Sequence, residues 1–157
     1  MAIKRVMNRK VHYEGLEFDS GEELRYYILL LDDKNVSCIH RQVRLCLIKP
    51  LYVLVPKALK TKVKWVKRSL VKGHYYTADF VFFENDKLVI CDVKSEYTSK
   101  LREFSITMKN CISLIVKHNL KRHHGEAKVI FRKAIYKNSK TLRIVDYPSD
   151  DEKVIYE

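Results

Sequence analysis

A chain of 157 residues is the length of one domain, and 46% hydrophobic content is enough for an ordinary core. Only four Gly and three Pro exclude a collagen-like or low-complexity chain, and no apolar run approaches the ~20 residues of a membrane span. The formal charge of +12 points to a polyanionic partner, with nucleic acid the usual one. Met1–Arg5 carries positive charge but no apolar segment follows it, so no signal peptide is read and a cytoplasmic location without membrane contact is expected.

In chain order, residues 1–18 read as an irregular or short-strand lead. A helix starts near Asp19 or Ser20, where Ser20-x-x-Glu23 fits a capping box, and ends near Asp32–Asn35. Leu24, Tyr27, Ile28 and Leu31 fall at helical spacing and predict its buried stripe. Strand patterns follow at Gln42–Ile48, with Val43, Leu45 and Leu47 on one face, and at Leu51–Val55. Residues 57–73 read as a basic insertion with a small hairpin around Trp65. Two strands then flank the turn Glu84-Asn85-Asp86-Lys87. A second helix, capped near Thr98 or Ser99, carries the stripe Leu101, Phe104, Met108, Cys111, Ile112, Ile115, leaving Arg102 and Lys109 off it. Strands at Ala127–Tyr136 and Thr141–Tyr147 complete a domain spanning residues 1–148. The acidic tail 149–157 reads as a solvated end. The order helix, strands, helix, strands predicts an α/β chain of the α+β kind, with helices against a mixed sheet.

No acidic residue occurs from Lys34 through Ala78. Within that gap Arg41, Arg44, Lys60, Lys62, Lys64, Lys67, Arg68 and Lys72 are the candidate DNA contacts, with Trp65 either stacking on bases or anchoring a small cluster of its own. The four cysteines lack C-x-x-C spacing. Cys46, Cys91 and Cys111 sit in apolar patterns and read as buried thiols rather than a zinc site.

The central hairpin carries the chemistry. If Asn85 and Asp86 are its loop residues, Glu84 pairs with Lys87, Val81 with Ile90, and Asp79 with Asp92. Alternation then puts Asp79, Asp92 and Lys94 on one face. Like charges opposed across a sheet destabilise it, and a divalent cation with oxygen ligands is the simplest compensation. Two carboxylates and a neighbouring ammonium suit phosphodiester hydrolysis, in which a metal polarises the phosphoryl oxygen and activates water. Glu23, in the first turn of the first helix, either completes the capping box, completes this site, or does both.

Asp79…Asp92-x-Lys94 with a helical Glu23 before it resembles the PD-(D/E)XK nuclease superfamily, the restriction-endonuclease-like fold, over nearly the whole chain. Ser20-Gly21-x-Glu23, Gln42-x-x-Leu45, Tyr76-Thr77-Ala78-Asp79-Phe80 and Asp92-Val93-Lys94 look closest to small phage-borne members and to phage junction-resolving endonucleases. Two departures stand out: Ala78 precedes Asp79 where the superfamily's name records proline, and Asp92 takes the place where glutamate is commoner. The resemblance implies a Mg²⁺-dependent DNA endonuclease, with Mn²⁺ as substitute. It implies metal ligation by Asp79, Asp92, Glu23 and the Val93 carbonyl, Lys94 as catalytic lysine, and a basic partner position at Lys109. It further implies branched DNA as substrate, a homodimer because resolving a junction takes two cuts, and the cytoplasm of a bacterial host as location. The rival readings are a nuclease-like DNA-binding subunit without catalysis, belonging to a phage replication, recombination or packaging complex, and an enzyme acting on RNA.

Overall fold

The computed structural model describes residues 9–138 and 140–155; the charged Met1–Arg5 lead and the terminal Glu157 of the acidic tail lie outside them. The chain divides into two compact units, Met1–Val43 with Ala78–Glu157, and Arg44–Thr77. The second unit takes in more than the insertion expected at 57–73.

The first unit is α+β. A short hairpin of β1 (Val11–Tyr13) and β2 (Leu16–Phe18) leads into α1 (Gly21–Asp32). The strands β3 (Val36–Ile48), β6 (His74–Glu84), β7 (Lys87–Ser95), β8 (Lys128–Lys137) and β9 (Thr141–Tyr147) form one mixed sheet in the order β3-β6-β7-β8-β9. β7 and β8 run parallel, as their connection through α2 (Arg102–Lys121) requires, while β6–β7 and β8–β9 are antiparallel. Apolar side chains of the central strands alternate between two covered faces. Phe80, Phe82, Val89, Cys91, Val93, Ile130 and Ala134 share one face by register and join Tyr26 and Leu30 of α1 in the core. By the same alternation Ile90, Phe131 and Ile135 are buried on the other face, where α2 supplies Cys111, Ile115 and Val116. A strand covered on both sides has to be apolar at nearly every position, and in β7 every residue from Val89 to Val93 is buried.

The helix faces depart in part from the sequence expectation. In α1 the buried residues are Glu23, Tyr26 and Leu30; Leu24, Tyr27 and Ile28 are half-buried and Leu31 is exposed. Residues 26–31 are apolar almost all round the helix, so spacing alone does not select the inward side. In α2 the expected stripe holds except at Leu101, which is exposed and serves as N-cap of a helix that begins at Arg102. Thr98–Lys100 form a separate 3-10 turn, with the Ser95 hydroxyl accepting the Thr98 N–H. Cys46 is exposed, because it alternates away from the half-buried Val43 and Leu45 and the buried Leu47. Within the tail, Asp150 is held by the Lys87 ammonium at 2.7 Å.

The second unit contains β4 (Leu51–Ala58) and β5 (Val63–Val71), an antiparallel ribbon closed by a Leu59-Lys60-Thr61-Lys62 turn, between the adjoining ends of β3 and β6. The hairpin expected around Trp65 is therefore a single strand, and its turn lies upstream of it. No helix among the described residues is long and apolar enough to cross a membrane.

Candidate functional site

The β6–β7 hairpin has the register read from the sequence: Glu84 faces Lys87, Val81 faces Ile90 and Phe80 faces Cys91, around a turn at Asn85-Asp86. Asn85 adopts φ 53°, a left-handed conformation that asparagine tolerates better than most residues. Past Phe80 and Cys91 the ladder gives way to a side-chain contact, in which the Val93 N–H donates to Asp79 Oδ2 at 2.8 Å. This bond fixes the Asp79 carboxylate against β7, the strand that carries Asp92.

Lys94 closes the constellation. Its ammonium pairs with Asp92 Oδ1 and lies 3.8 Å from Asp79 Oδ2. Asp92 is 2% exposed. Burial, and then the neighbouring Asp92 charge, raises the Asp79 carboxyl well above the usual carboxylate range. Burial alone would lower the Lys94 ammonium, but the Asp92 and Asp79 carboxylates outweigh it and raise it. Two acids and one base thus meet in a largely buried place where both carboxylates draw on the same ammonium. The ring of Phe104 on α2 lies 5.2 Å from the Lys94 nitrogen.

Glu23 lines a cavity with Asp79 and Lys94. The cavity has a volume of about 320 Å³, and Glu23, Asp79, Val93 and Lys94 all line it, together with Ser95 and Phe104. Ser20 caps α1 by accepting the Glu23 N–H at 3.1 Å. The Glu23 side chain makes different bonds from those of a capping box. Its Oε2 accepts the Asp19 N–H, and its Oε1 accepts the Gln42 amide, each at 2.9 Å. Glu23 is 2% exposed, so its carboxylate is oriented from both sides. Each carboxylate oxygen has a second lone pair, so these bonds leave acceptor capacity toward the cavity.

The donor set is all oxygen and fits a hard divalent cation. Asp79 and Asp92 are the side chains that would hold it, with the Val93 carbonyl and Glu23 as the further expected contributors. No group of three or more His, Cys, Asp or Glu side chains among the described residues is gathered closely enough to hold an ion. The fit is therefore to a cation held by two protein carboxylates, with water and substrate oxygens completing the shell, which is the ordinary habit of Mg²⁺.

The basic residues fall in different places. Arg44, Lys60, Lys62, Lys64, Lys67, Arg68 and Lys72 are exposed in the second unit, as is Trp65, and Lys109 is exposed on α2. The Arg44 guanidinium stacks 4.1 Å from the Tyr75 ring centroid. Arg41 belongs to the first unit and is committed there, lying 3.8 Å from the Phe18 ring centroid and donating to the Glu17 carbonyl.

Residues 4–124 match the family model described as "Protein of unknown function (DUF1064)". The chain belongs to this DUF1064 family. No curated protein and no solved structure matches it. The stretch shared with the DUF1064 family takes in Glu23, Gln42, Asp79, Asp92 and Lys94 and stops short of β8.

Two features of this DUF1064 member lie outside the sequence expectations, one at the site and one away from it. Gln42 orients Glu23 from a β3 position with φ 51°; its only signal was its place in the Gln42-x-x-Leu45 pattern. Arg132, 6% exposed, forms paired bonds to Glu84 at 2.7 Å and to Asp146 at 2.7 and 2.9 Å, joining β6, β8 and β9. No sequence signal announced that cluster, because its members meet only once the strand order is known.

Proposed function

We propose that the protein is a Mg²⁺-dependent endonuclease that hydrolyses DNA phosphodiester bonds. One observation carries this reading: Lys94 meets both Asp79 and the buried Asp92, and Lys94 and Asp79 line a cavity that Glu23 also lines. Buried like charges are costly, and a fold concerned only with stability gains nothing from opposing them. A bound Mg²⁺ would supply Lewis-acid polarisation of the phosphoryl oxygen and a more acidic water. Asp79 and Asp92 would bind the ion, with Asp79 oriented by the Val93 N–H. Glu23, held by Asp19 and Gln42, would accept a hydrogen bond from water in the cavity. Lys94, released from Asp92 when a cation competes for that carboxylate, would donate to the attacking water or to a phosphate oxygen, where its charge opposes the negative charge that builds up.

The DNA would be gripped through backbone phosphates. The exposed cations of the second unit, with Lys109, supply sequence-independent contacts of the kind that weaken steeply with salt. Branched or junction DNA is the preferred substrate and a homodimer the expected state. Both follow from the resemblance to junction-resolving nucleases of the PD-(D/E)XK superfamily.

The test is cleavage of a four-way junction and of a linear duplex in the presence of Mg²⁺ or EDTA. Cleavage is expected with Mg²⁺ alone. Asp92→Ala and Lys94→Ala should each reduce it by on the order of a hundredfold or more. Full activity in either variant would remove the assignment, and metal-free binding of DNA without cleavage under any condition would favour the non-catalytic DNA-binding subunit.

A further inference from the structure

The β4–β5 ribbon turns its apolar side outward. Residues paired across an antiparallel ladder share a face. Tyr52, Leu54, Pro56 and Ala58 therefore stand on one side with Lys67, Trp65 and Val63, while Val53, Val55 and Val66 stand on the other with Arg68, Lys57 and Lys64. The three valines of the second side are half-buried. On the first side Tyr52 is 51% exposed, Leu54 65%, Val63 60% and Trp65 62%. Single exposed apolar residues are ordinary, but a continuous stripe of them marks an interaction surface. The Lys67 nitrogen lies 3.8 Å from the Tyr52 ring centroid, so the stripe already has a cation at its edge.

Charge decides what covers the stripe. Residues 44–77 hold nine Lys and Arg and no Asp or Glu. A second copy of the ribbon would bring the same charge against itself. An intact duplex would satisfy the cations but keep its base faces stacked away from the aromatic rings. Unpaired nucleotides offer both a charged backbone and free planar faces, and aromatic platforms within basic grooves bind them without sequence preference.

We propose that the outward side of the β4–β5 ribbon is a stacking platform for unpaired nucleotides. Trp65 and Tyr52 receive the bases, and Lys60, Lys62 and Lys67 hold the flanking phosphates. This deepens the reading above by naming the unpaired part of an open or branched substrate, and it rests on that reading for the ligand being nucleic acid.

Trp65 is the only tryptophan in the chain, so its fluorescence reports on this surface alone. The full chain is titrated in EDTA with a thymidine oligonucleotide, a mixed-sequence duplex, heparin and a polyglutamate peptide. The oligonucleotide should quench Trp65 and bind several-fold tighter than the duplex at equal salt, whereas heparin should bind without quenching. With affinities read from the anisotropy of fluorescein-labelled ligands, Trp65→Ala should weaken oligonucleotide binding about tenfold and leave heparin binding unchanged, and Trp65→Phe should recover most of the loss. Leu54→Asn, at another exposed position, should weaken the oligonucleotide selectively as well. Equal affinity for oligonucleotide and duplex, full binding by Trp65→Ala, equal quenching by polyglutamate, or self-association that Trp65→Ala abolishes would each overturn the proposal. Because no metal is present, loss of cleavage with stacking intact counts against the metal site alone.

Discussion

At the scale of single residues, the behaviour of Asp79 follows from where it is buried. Its carboxyl is raised by burial and by Asp92, so in the folded protein it holds its proton to a higher pH than in the unfolded chain. The sign of the consequence is fixed. Its contribution to stability is fully present below the unfolded value, near 3.8, and is lost as the pH rises through the folded value. The metal-free protein should therefore lose stability as the pH rises from about 4 through neutrality. Asp79→Asn should flatten that slope, and chemical denaturation over a pH series measures it. A cation that binds Asp79 must displace its proton, so metal affinity should rise over the same interval with proton release. Calorimetry in buffers of different ionisation enthalpy would show that release. Gln42 acts one step further out, as a positioning residue for Glu23. Gln42→Ala should lower Mg²⁺-dependent cleavage about tenfold while leaving the circular dichroism spectrum unchanged.

At the scale of elements, the central hairpin was the most legible part of the sequence. Period-two alternation and a turn with asparagine at its tip fix a register, and a register fixes which side chains face each other. That register placed Asp79, Asp92 and Lys94 on one face; the direct Asp79–Asp92 pairing expected is not part of the ladder, which stops at Phe80 and Cys91, and the acids meet through Lys94 instead. The inward face of α1 was harder to read, because Leu29 and Leu31 are exposed, at 50% and 51%, while the acid Glu23 is buried. A buried carboxylate breaks the apolar pattern at that position. The Ser20 cap was legible, and Ser20→Ala should cost about 1 kcal/mol of unfolding free energy. The Arg132 cluster could not be read ahead, since it depends on β8 lying between β7 and β9. Burial opposes its charge, but the hydrogen bonds it donates to Glu84 and Asp146 raise the guanidinium further above its already high range. Arg132→Met should cost roughly 3 kcal/mol in urea unfolding, because it leaves two carboxylates without their partner. Adding Glu84→Gln and Asp146→Asn should recover part of that loss.

At the scale of the whole molecule, the candidate site and the longest acid-free stretch fall in different units. The acids of the candidate site belong to the unit formed by Met1–Val43 and Ala78–Glu157, and the longest acid-free basic segment forms the unit Arg44–Thr77. Composition and spacing pointed to both, but the extent of the second unit was not legible: Leu51–Val55 and the Trp65 segment read as separate pieces until β4 and β5 were seen to pair from Leu51 to Val71. Its exposed lysines and arginines should set the salt dependence of DNA binding. Replacing Lys64 and Arg68 with Gln should reduce the slope of log affinity against log salt by about 2. The most direct measurement of the central claim is a crystal soaked in Mn²⁺ and read by anomalous scattering. A single strong peak in contact with both the Asp79 and Asp92 carboxylates, with the Lys94 nitrogen displaced from Asp92, is the predicted result. A peak elsewhere, or none at Asp79 and Asp92 with Lys94 still closed on Asp92, would contradict it.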